Sequence, residues 1–228
     1  MKEPKCIRWE MKPYPFYKCL AHENDPLPSH LLRVATVGQG NVADADEQTR
    51  QIAFLSGLMH DIGKATPYFQ IERLQKQKKS QMTTHATCSA CISWGVTHVL
   101  NLPLWIRLSI FTVILKHHGD LQFECWEDAY RDARHRIKTD DNLRRQIESL
   151  EINVIAEWIS SKINAHLSWS ILNHAEPLSL THDALQGAFS AVRQSQIRMC
   201  FSKTSQALMF LAGFGATLSA DKVDSAIG

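Results

Sequence analysis

The sequence predicts an all-α protein with a single hydrophobic core. Apolar residues recur at helical spacing along most of the chain, and runs that alternate between apolar and polar residues are scarce. Residues typical of helix starts precede several of these apolar stretches. The chain has 228 residues, 44% of them apolar, and it shows neither an internal repeat nor a break in composition. We therefore expect one globular domain over residues 1–228.

The predicted elements of the first half follow in a simple order. Residues 1–28 hold five of the eight prolines and are expected to form an extended lead-in. Four helices are expected next, with start signals at Ser29, Asp46, Thr84 and Pro103. A polar loop, KQKKSQMTT, is expected over residues 76–84, between the second and third of these helices.

The second half of the chain is also helical in pattern. Residues 127–150 are charged and amphipathic, and residues 152–172 are apolar and amphipathic. A last long helix is expected over about residues 205–219. Residues 127–195 carry no recognisable motif, so they are predicted to form a helical insertion or subdomain within the same domain.

Composition limits the classes of function. The net charge of +2 is too small to indicate nucleic-acid binding on its own. The N-terminal MKEPKCIRWEMK lacks the apolar stretch of a secretory signal, and the most apolar late run, residues 207–220, is too short to cross a bilayer. Six cysteines fit a reducing compartment, so a cytoplasmic protein without a membrane partner is expected. Cys88 and Cys91 form a single C-x-x-C, for which two ordinary thiols are favoured over a zinc or redox site.

The stretch GLMHDIGKATPYFQ, residues 57–70, places a histidine beside an aspartate at the end of an apolar pattern. Neighbouring residues on a helix point about 100° apart, so they share one cleft more easily where the helix ends. Gly63 follows this doublet, and a second doublet, in KHHG at residues 116–119, is also followed by glycine. Because a left-handed glycine commonly ends a helix, both doublets are predicted at helix C-termini, where partial negative charge favours a cation.

Further metal-capable side chains are spread along the chain. His30 stands in SHLLRVA and His85 in THATCSAC, both near predicted helix starts, and Asp221 stands in LSADK, just after a predicted helix. Each alone has a simpler explanation as an ordinary histidine or surface carboxylate. Together with the two doublets they make five histidines and two aspartates. That set is too large for one tetrahedral ion and suits two ions that share a carboxylate.

These segments resemble the signature of the HD phosphohydrolase superfamily. The fuller pattern is similar to one branch, the HD nuclease domain of the CRISPR-associated helicase-nuclease of type I systems. The matching segments run in the family's order over about residues 29–226 and are SHLLRVA, GLMHDIGKATPYFQ, THATCSA, KHHGD and LSADKVDSA. Many HD proteins share HDIGK, whereas the KATPYFQ extension and the HHG doublet are more specific to the branch.

The resemblance implies a dinuclear metal site that cleaves single-stranded DNA. One divalent ion would be held by His30, His60, Asp61 and Asp221. The other would share Asp61 and be held by His85, His117 and His118. Lys64 would face the scissile phosphate as a catalytic residue beside Asp61, and Thr66 would help to bind substrate. The ions would be Mn, Fe, Co, Ni or Mg.

The resemblance also implies partners. Family members work with a CRISPR helicase, fused or separate, and with an RNA-guided surveillance complex. The sequence contains neither a GKT/GKS phosphate loop nor a DExH box, so a stand-alone nuclease subunit or the N-terminal part of a fused protein is expected. Two other functions stay open. One is an HD phosphohydrolase that acts on a small nucleotide, and the other is a non-enzymatic recruitment module with a vestigial site, although no ligand is missing.

Contact with DNA would be largely electrostatic, with bases stacked on aromatic rings. The basic candidates are Lys76, Lys78, Lys79, Arg131, Arg134 and Arg136. The aromatic candidates are Tyr68, Phe69, Phe123 and Trp126. A solvated charged face and ordinary packing are the commoner roles of such residues, so both sets are hypotheses.

Overall fold

The computed structural model describes residues 11–119, 125–167 and 178–227, and these are all-α apart from one small hairpin, which confirms the predicted fold class. The α-helices of the described residues are α1 Leu27–Gly40, α2 Glu47–Met59, α3 Ala86–Val99, α4 Leu104–Lys116, α5 Cys125–Thr139, α6 Asp141–Glu148, α7 Ile152–His166, α8 His182–Ser190, α9 Gln194–Arg198 and α10 Thr204–Ile227. Within those ranges no helix is long and apolar enough to cross a membrane.

Shorter elements surround the first two helices. Strands β1, Leu20–His22, and β2, Asp25–Pro26, pair antiparallel within the predicted lead-in. The 3-10 turns are Phe16–Lys18, Ile62–Ala65 and Gln81–Thr83, and a π-helical stretch spans Tyr68–Gln75. The hairpin lies directly before α1 and contacts the 3-10 turn that follows α2.

The helix starts show which sequence signals were right. Asp46 caps α2 as predicted, because its carboxylate accepts hydrogen bonds of 2.9 and 3.0 Å from two backbone N–H groups of the first turn. The helix expected near Ser29 is present as α1, but Ser29 does not cap it, because the helix begins at Leu27 with Pro26 in the cap position. A first-turn N–H has no partner within the helix, so Pro28, which lacks that donor, fits inside the first turn.

The predicted end of the last helix was also wrong. α10 continues to Ile227, so Asp221 lies within the helix and not after it. The added turns are held by Asp224, whose carboxylate binds Arg33 of α1 at 2.6 and 2.9 Å. This contact joins residues from opposite ends of the chain, so the sequence near residue 219 gives no sign that the helix continues.

The two doublets do end helices, but not through left-handed glycines. α2 ends at Met59 and α4 ends at Lys116, as predicted. No glycine in the described part of the chain has a positive φ, so the expected role of Gly63 and Gly119 was wrong. Gly63 is needed for a different reason. A Cβ there would lie 2.6 Å from the His85 carbonyl oxygen, so glycine lets the 3-10 turn press against the start of α3.

α2 forms the centre of the core and packs against α1, α4 and α10. Every residue from Gln51 to Met59 is buried. Gly57 permits a close approach of α2 to α1, because a Cβ at this position would lie 2.7 Å from the Ala35 Cα. Because α2 is surrounded by other helices, its C-terminus delivers His60 to the interior of the protein, with no exposed surface.

The later helices share this core. Trp94 of α3 stacks on Phe189 of α8, with ring centroids 5.4 Å apart. Residues 127–195, predicted as a helical insertion or subdomain, contribute side chains to the same hydrophobic cluster as α1 and α2 wherever they are described. Cys88 and Cys91 are buried free thiols of α3, and burial raises the pKa of both. Both side chains therefore contribute to packing as neutral groups.

Candidate metal centre

The first doublet lies at the point where the backbone leaves α2. His60 keeps helical angles, φ −57° and ψ −36°, whereas Asp61 has φ −112° and ψ 11°. This change of direction lets two adjacent side chains enter one cleft, and the His60 Nε2 lies 3.4 Å from the Asp61 Oδ2. The following 3-10 turn, Ile62–Ala65, carries Lys64 along the same cleft.

A first cluster of ligand atoms surrounds His60, and its members are His30, His60, Asp61 and Asp221. The Nε2 atoms of His30 and His60 are 3.2 Å apart, and each lies 3.4 Å from the Asp61 Oδ2. The Asp221 Oδ1 is 3.3 Å from the His60 Nε2 and 3.6 Å from the His30 Nε2. Ligand atoms about 2.0–2.2 Å from one ion stand roughly 3.0–3.4 Å apart, so this spacing fits a single divalent ion.

A second cluster lies on the other side of the same aspartate, and its members are Asp61, His85, His117 and His118. The Asp61 Oδ1 is 2.8 Å from the His85 Nε2 and 3.3 Å from the His117 Nε2. The Nε2 atoms of His85 and His118 are 2.9 Å apart. His85 is half-buried and His118 is exposed, so this cluster faces solvent while the first is enclosed.

Hydrogen bonds to helix-end carbonyls orient two of the imidazoles. The His60 Nδ1 lies 2.8 Å from the Gly57 carbonyl oxygen, and the His117 Nδ1 lies 2.6 Å from the Ile114 carbonyl oxygen. A carbonyl can only accept, so each Nδ1 donates, and the neutral form of each ring therefore has its lone pair on Nε2. The carbonyls predicted to attract a cation thus act indirectly, since they turn the Nε2 lone pairs toward the clusters.

Two buried acceptors in the second cluster face each other without a donor between them. The Asp61 Oδ1 and the His117 Nε2 are buried and have no hydrogen-bond partner among the described residues. The His85 Nε2 comes within 2.8 Å of the same Asp61 oxygen, yet the angles do not make a hydrogen bond. Buried polar atoms are rarely left unpaired, and lone pairs that converge repel unless a cation lies between them. The donor set therefore fits a divalent metal ion.

The electrostatics of the two clusters differ. Burial raises the pKa of the Asp61 carboxyl, but the positive charges of His60 and Lys64 outweigh it and hold that pKa well below its usual range. Burial lowers the pKa of His60, yet the Asp61 and Asp221 carboxylates raise it to about 10. Partial desolvation of the His118 ring by the surrounding protein and the neighbouring imidazoles of His117 and His85 lower its pKa to about 4. The first cluster therefore favours positive charge, which a proton on His60 or a metal ion in its place can supply, whereas His118 is a neutral ring able to bind a metal.

Lys64 is buried against the carboxylate of Asp61, which both clusters share. Its Nζ lies 2.6 Å from the Asp61 Oδ2, donates to the Ala21 carbonyl oxygen at 3.3 Å, and stands 5.5 Å from the centroid of the Phe69 ring. In this arrangement Lys64 balances the charge of Asp61. Contact between Lys64 and a substrate phosphate stays a prediction.

The KATPYFQ extension holds the lead-in to the site. The Gln70 side chain donates to the carbonyl oxygens of Leu20 and Lys64 at 2.9 and 2.8 Å, and it accepts from the Leu20 N–H at 2.9 Å. Thr66 is buried, and its hydroxyl oxygen accepts from the Phe69 N–H at 3.3 Å. Gln70 and Thr66 therefore shape the turn around Lys64, and the predicted role of Thr66 in substrate binding stays a prediction.

The residues suggested for DNA contact have mixed environments. Lys76, Lys78 and Lys79 are exposed in the polar loop. Arg131 and Arg136 are each paired on their own helix or just beyond it, with Asp128 at 2.5 Å and Asp140 at 2.9 Å. That pairing is typical of a solvated charged face.

The aromatic candidates mostly pack within the protein. Phe69 is buried edge-on against the His85 ring, with centroids 5.4 Å apart, so it packs against a member of the second cluster. Trp126 stacks on Phe201 at 4.2 Å. Phe123 lies outside the described residues. Tyr68 is half-buried in the π-helical stretch. The buried Phe69 ring and the Trp126 ring stacked on Phe201 do not offer the open face that a stacking platform needs.

Sequence reasoning missed three charged side chains beside the first cluster. Asp25, Arg33 and Asp224 form an ion-paired group against His30. Asp224 lies three residues after Asp221, a spacing that places both on one helix face. That signal was readable only if the last helix continued past residue 219.

The described residues form an all-helical domain in which a buried histidine–aspartate cluster could hold a divalent metal ion. The family profile of the HD domain matches residues 28–158, more than half of the chain, and the chain belongs to this family. HD domains bind divalent metals and are typically metal-dependent hydrolases. No curated protein and no solved structure matches the chain.

Proposed function

We propose that the protein is a metal-dependent nuclease that hydrolyses phosphodiesters of single-stranded DNA at a dinuclear site. The proposal rests mainly on one observation, which is that the two oxygen atoms of the Asp61 carboxylate face two different clusters. The Asp61 Oδ2 faces His30 and His60, and the Asp61 Oδ1 faces His85 and His117. Two ions that share a carboxylate are suited to in-line displacement at phosphorus.

Each cluster has a distinct part in this proposal. The residues of the two clusters would hold divalent ions, which would supply an acidified water and neutralise charge on the phosphoryl oxygens. The chain itself orients the His60 and His117 rings, through the carbonyls of Gly57 and Ile114, and buries His30, His60 and Asp61 of the first cluster. Substrate would enter beside His118, the exposed member of the second cluster. Lys64, which neutralises Asp61, would be free to contact phosphate when ions balance that carboxylate.

The choice of single-stranded DNA and of partners rests on the resemblance to the CRISPR-associated branch. The HHG doublet supplies two ligands of the second cluster, and the KATPYFQ extension braces Lys64 through Gln70. Both branch-specific segments therefore have a physical task at the site. A CRISPR helicase and an RNA-guided surveillance complex would deliver the strand, and the exposed Lys76, Lys78 and Lys79 would attract its phosphates.

Cleavage of circular single-stranded DNA tests the proposal. Metal-stripped protein is supplied with Mn, Co, Ni, Mg or Zn singly, beside Asp61→Ala and the surface control Asp183→Ala. We expect metal-dependent linearisation by the wild-type protein and by Asp183→Ala, and none by Asp61→Ala. Full activity of Asp61→Ala would refute the bridging role.

Hydrolysis of a small nucleotide is the alternative, and the enclosure of the first cluster favours it. His60 and Asp61 are almost completely buried, as suits a closed pocket. The same preparations are therefore incubated with nucleoside mono-, di- and triphosphates, and released phosphate is measured. Phosphate release without DNA cleavage would replace the nuclease by a nucleotide phosphohydrolase.

A further inference from the structure

His30 is a buried imidazole that meets carboxylates at both of its nitrogen atoms. Its Nε2 points to the first cluster, 3.6 Å from the Asp221 Oδ1. Its Nδ1 lies 2.6 Å from the Asp224 Oδ2 and 3.5 Å from the Asp25 Oδ2. Asp221 and Asp224 are one helical turn apart on α10, so this helix holds the ring from two sides.

Arg33 secures the outer carboxylates. Its Nε and one terminal nitrogen bind the two oxygens of Asp224 at 2.6 and 2.9 Å, and the same terminal nitrogen binds the Asp25 Oδ1 at 2.7 Å. A two-pronged guanidinium–carboxylate pair fixes the orientation of the carboxylate as well as its position. Asp25, His30 and Asp224 lie close enough together to hold a metal, but Arg33 already supplies the positive charge, so they do not form a third metal site.

We propose that Asp224, held by Arg33, is a positioning residue for the metal centre. Donation from the His30 Nδ1–H to Asp224 keeps the Nε2 lone pair on the first cluster, and a carboxylate behind an imidazole strengthens it as a ligand. The same contact fixes the rotation of α10, which places Asp221 beside His60. This inference rests on the proposed function only in assuming that the first cluster binds an ion.

Metal titration of the full chain tests the positioning role. Metal-stripped wild-type protein, Asp224→Asn, Asp224→Ala and the control Lys222→Ala are titrated with Mn²⁺, and bound ions are counted by equilibrium dialysis. Lys222 is exposed on the same turn of α10, so its removal tests general effects on the helix. We expect Asp224→Ala to weaken one ion by about 10–100-fold and to leave the other unchanged. Asp224→Asn keeps an acceptor oxygen and should restore part of the loss.

The tautomer of His30 gives a readout that does not depend on metal binding or catalysis. Nitrogen-15 NMR of metal-stripped protein, with the His30 signal assigned by its loss in His30→Gln, should show the proton on Nδ1 in the wild type. Asp224→Ala should shift it toward Nε2. An unchanged tautomer together with equal loss of both ions, or with a lower melting temperature alone, would overturn the inference. If the wild type binds no ion, the metal centre fails while the tautomer result still decides the role of Asp224.

Discussion

Substitution of Gly63 by alanine should separate two helix ends that the metal centre needs in contact. The added methyl would lie 2.6 Å from the His85 carbonyl oxygen and 3.0 Å from the Ser89 hydroxyl oxygen, which itself accepts the Gly63 N–H at 2.9 Å. Ordinary contact begins near 3.4 Å, so the turn after α2 and the start of α3 must separate by about 0.8 Å. The obstacle is backbone, which cannot rotate aside.

The expected loss has two parts. Overpacking of this kind costs about 1–3 kcal/mol of the free energy of unfolding. His85 would also move away from Asp61, now 2.8 Å away, by more than the roughly 0.5 Å that a functional site tolerates. Misplacement near 1 Å can reduce activity about 10²-fold. The second ion should therefore bind much more weakly, while the first, which His85 does not hold, should be retained.

Urea unfolding and ion counting on the same preparations check this prediction. Gly119→Ala is the matched control, because Gly119 follows the other doublet and a Cβ there would meet nothing within 4 Å. Its stability should stay within about 0.5 kcal/mol of the wild type. Wild-type stability and two bound ions in Gly63→Ala would refute the close-approach explanation.

Two further predictions concern stability away from the metal centre. Asp46→Ala removes the cap of α2 and should cost about 1 kcal/mol in urea unfolding at pH 7, while exposed Asp44→Ala should be neutral. Burial raises the pKa of Asp46, but the hydrogen bonds that its carboxylate accepts, chiefly from Thr49, together have the larger effect, so the net pKa is lowered. The stability difference between the wild type and Asp46→Ala should therefore be present above pH 4 and should disappear as the pH falls through the lowered pKa. The buried guanidinium of Arg107 lies over the Trp94 ring, and two of its nitrogen atoms have no hydrogen-bond partner in the described structure. Arg107→Met removes this poorly paired charge and should raise the free energy of unfolding by about 1 kcal/mol. A less stable Arg107→Met protein would contradict that reasoning.

The sequence correctly predicted several features that depend only on residues close together in the chain. The cap at Asp46 and the doublets at the ends of α2 and α4 depend on neighbouring residues, and all three were confirmed. The role of Gly63 was predicted wrongly because glycine is expected both where a helix ends in a left-handed conformation and where two backbone segments lie very close together. Only the position of His85 in space distinguishes them.

The supporting residues of the site could not be predicted because they depend on contacts between distant segments. Asp224 meets Arg33 across 191 positions of the chain, and Gln70 meets Leu20 across 50. A carboxylate or an amide has many local explanations, and none of them indicates a partner so far away. The residues of the two candidate clusters were easier to predict, since imidazoles at helix ends have few purely structural roles.

Counting the ions bound by the wild-type protein and by Asp61→Ala tests the central claim most directly. Metal-stripped protein is dialysed against Mn²⁺, the bound metal is quantified per chain, and electron paramagnetic resonance reports whether the ions are coupled. Because one carboxylate faces both clusters, the wild type should bind two coupled ions and Asp61→Ala should weaken both. A single uncoupled ion in the wild type, or two ions retained in Asp61→Ala, would contradict a shared bridging carboxylate.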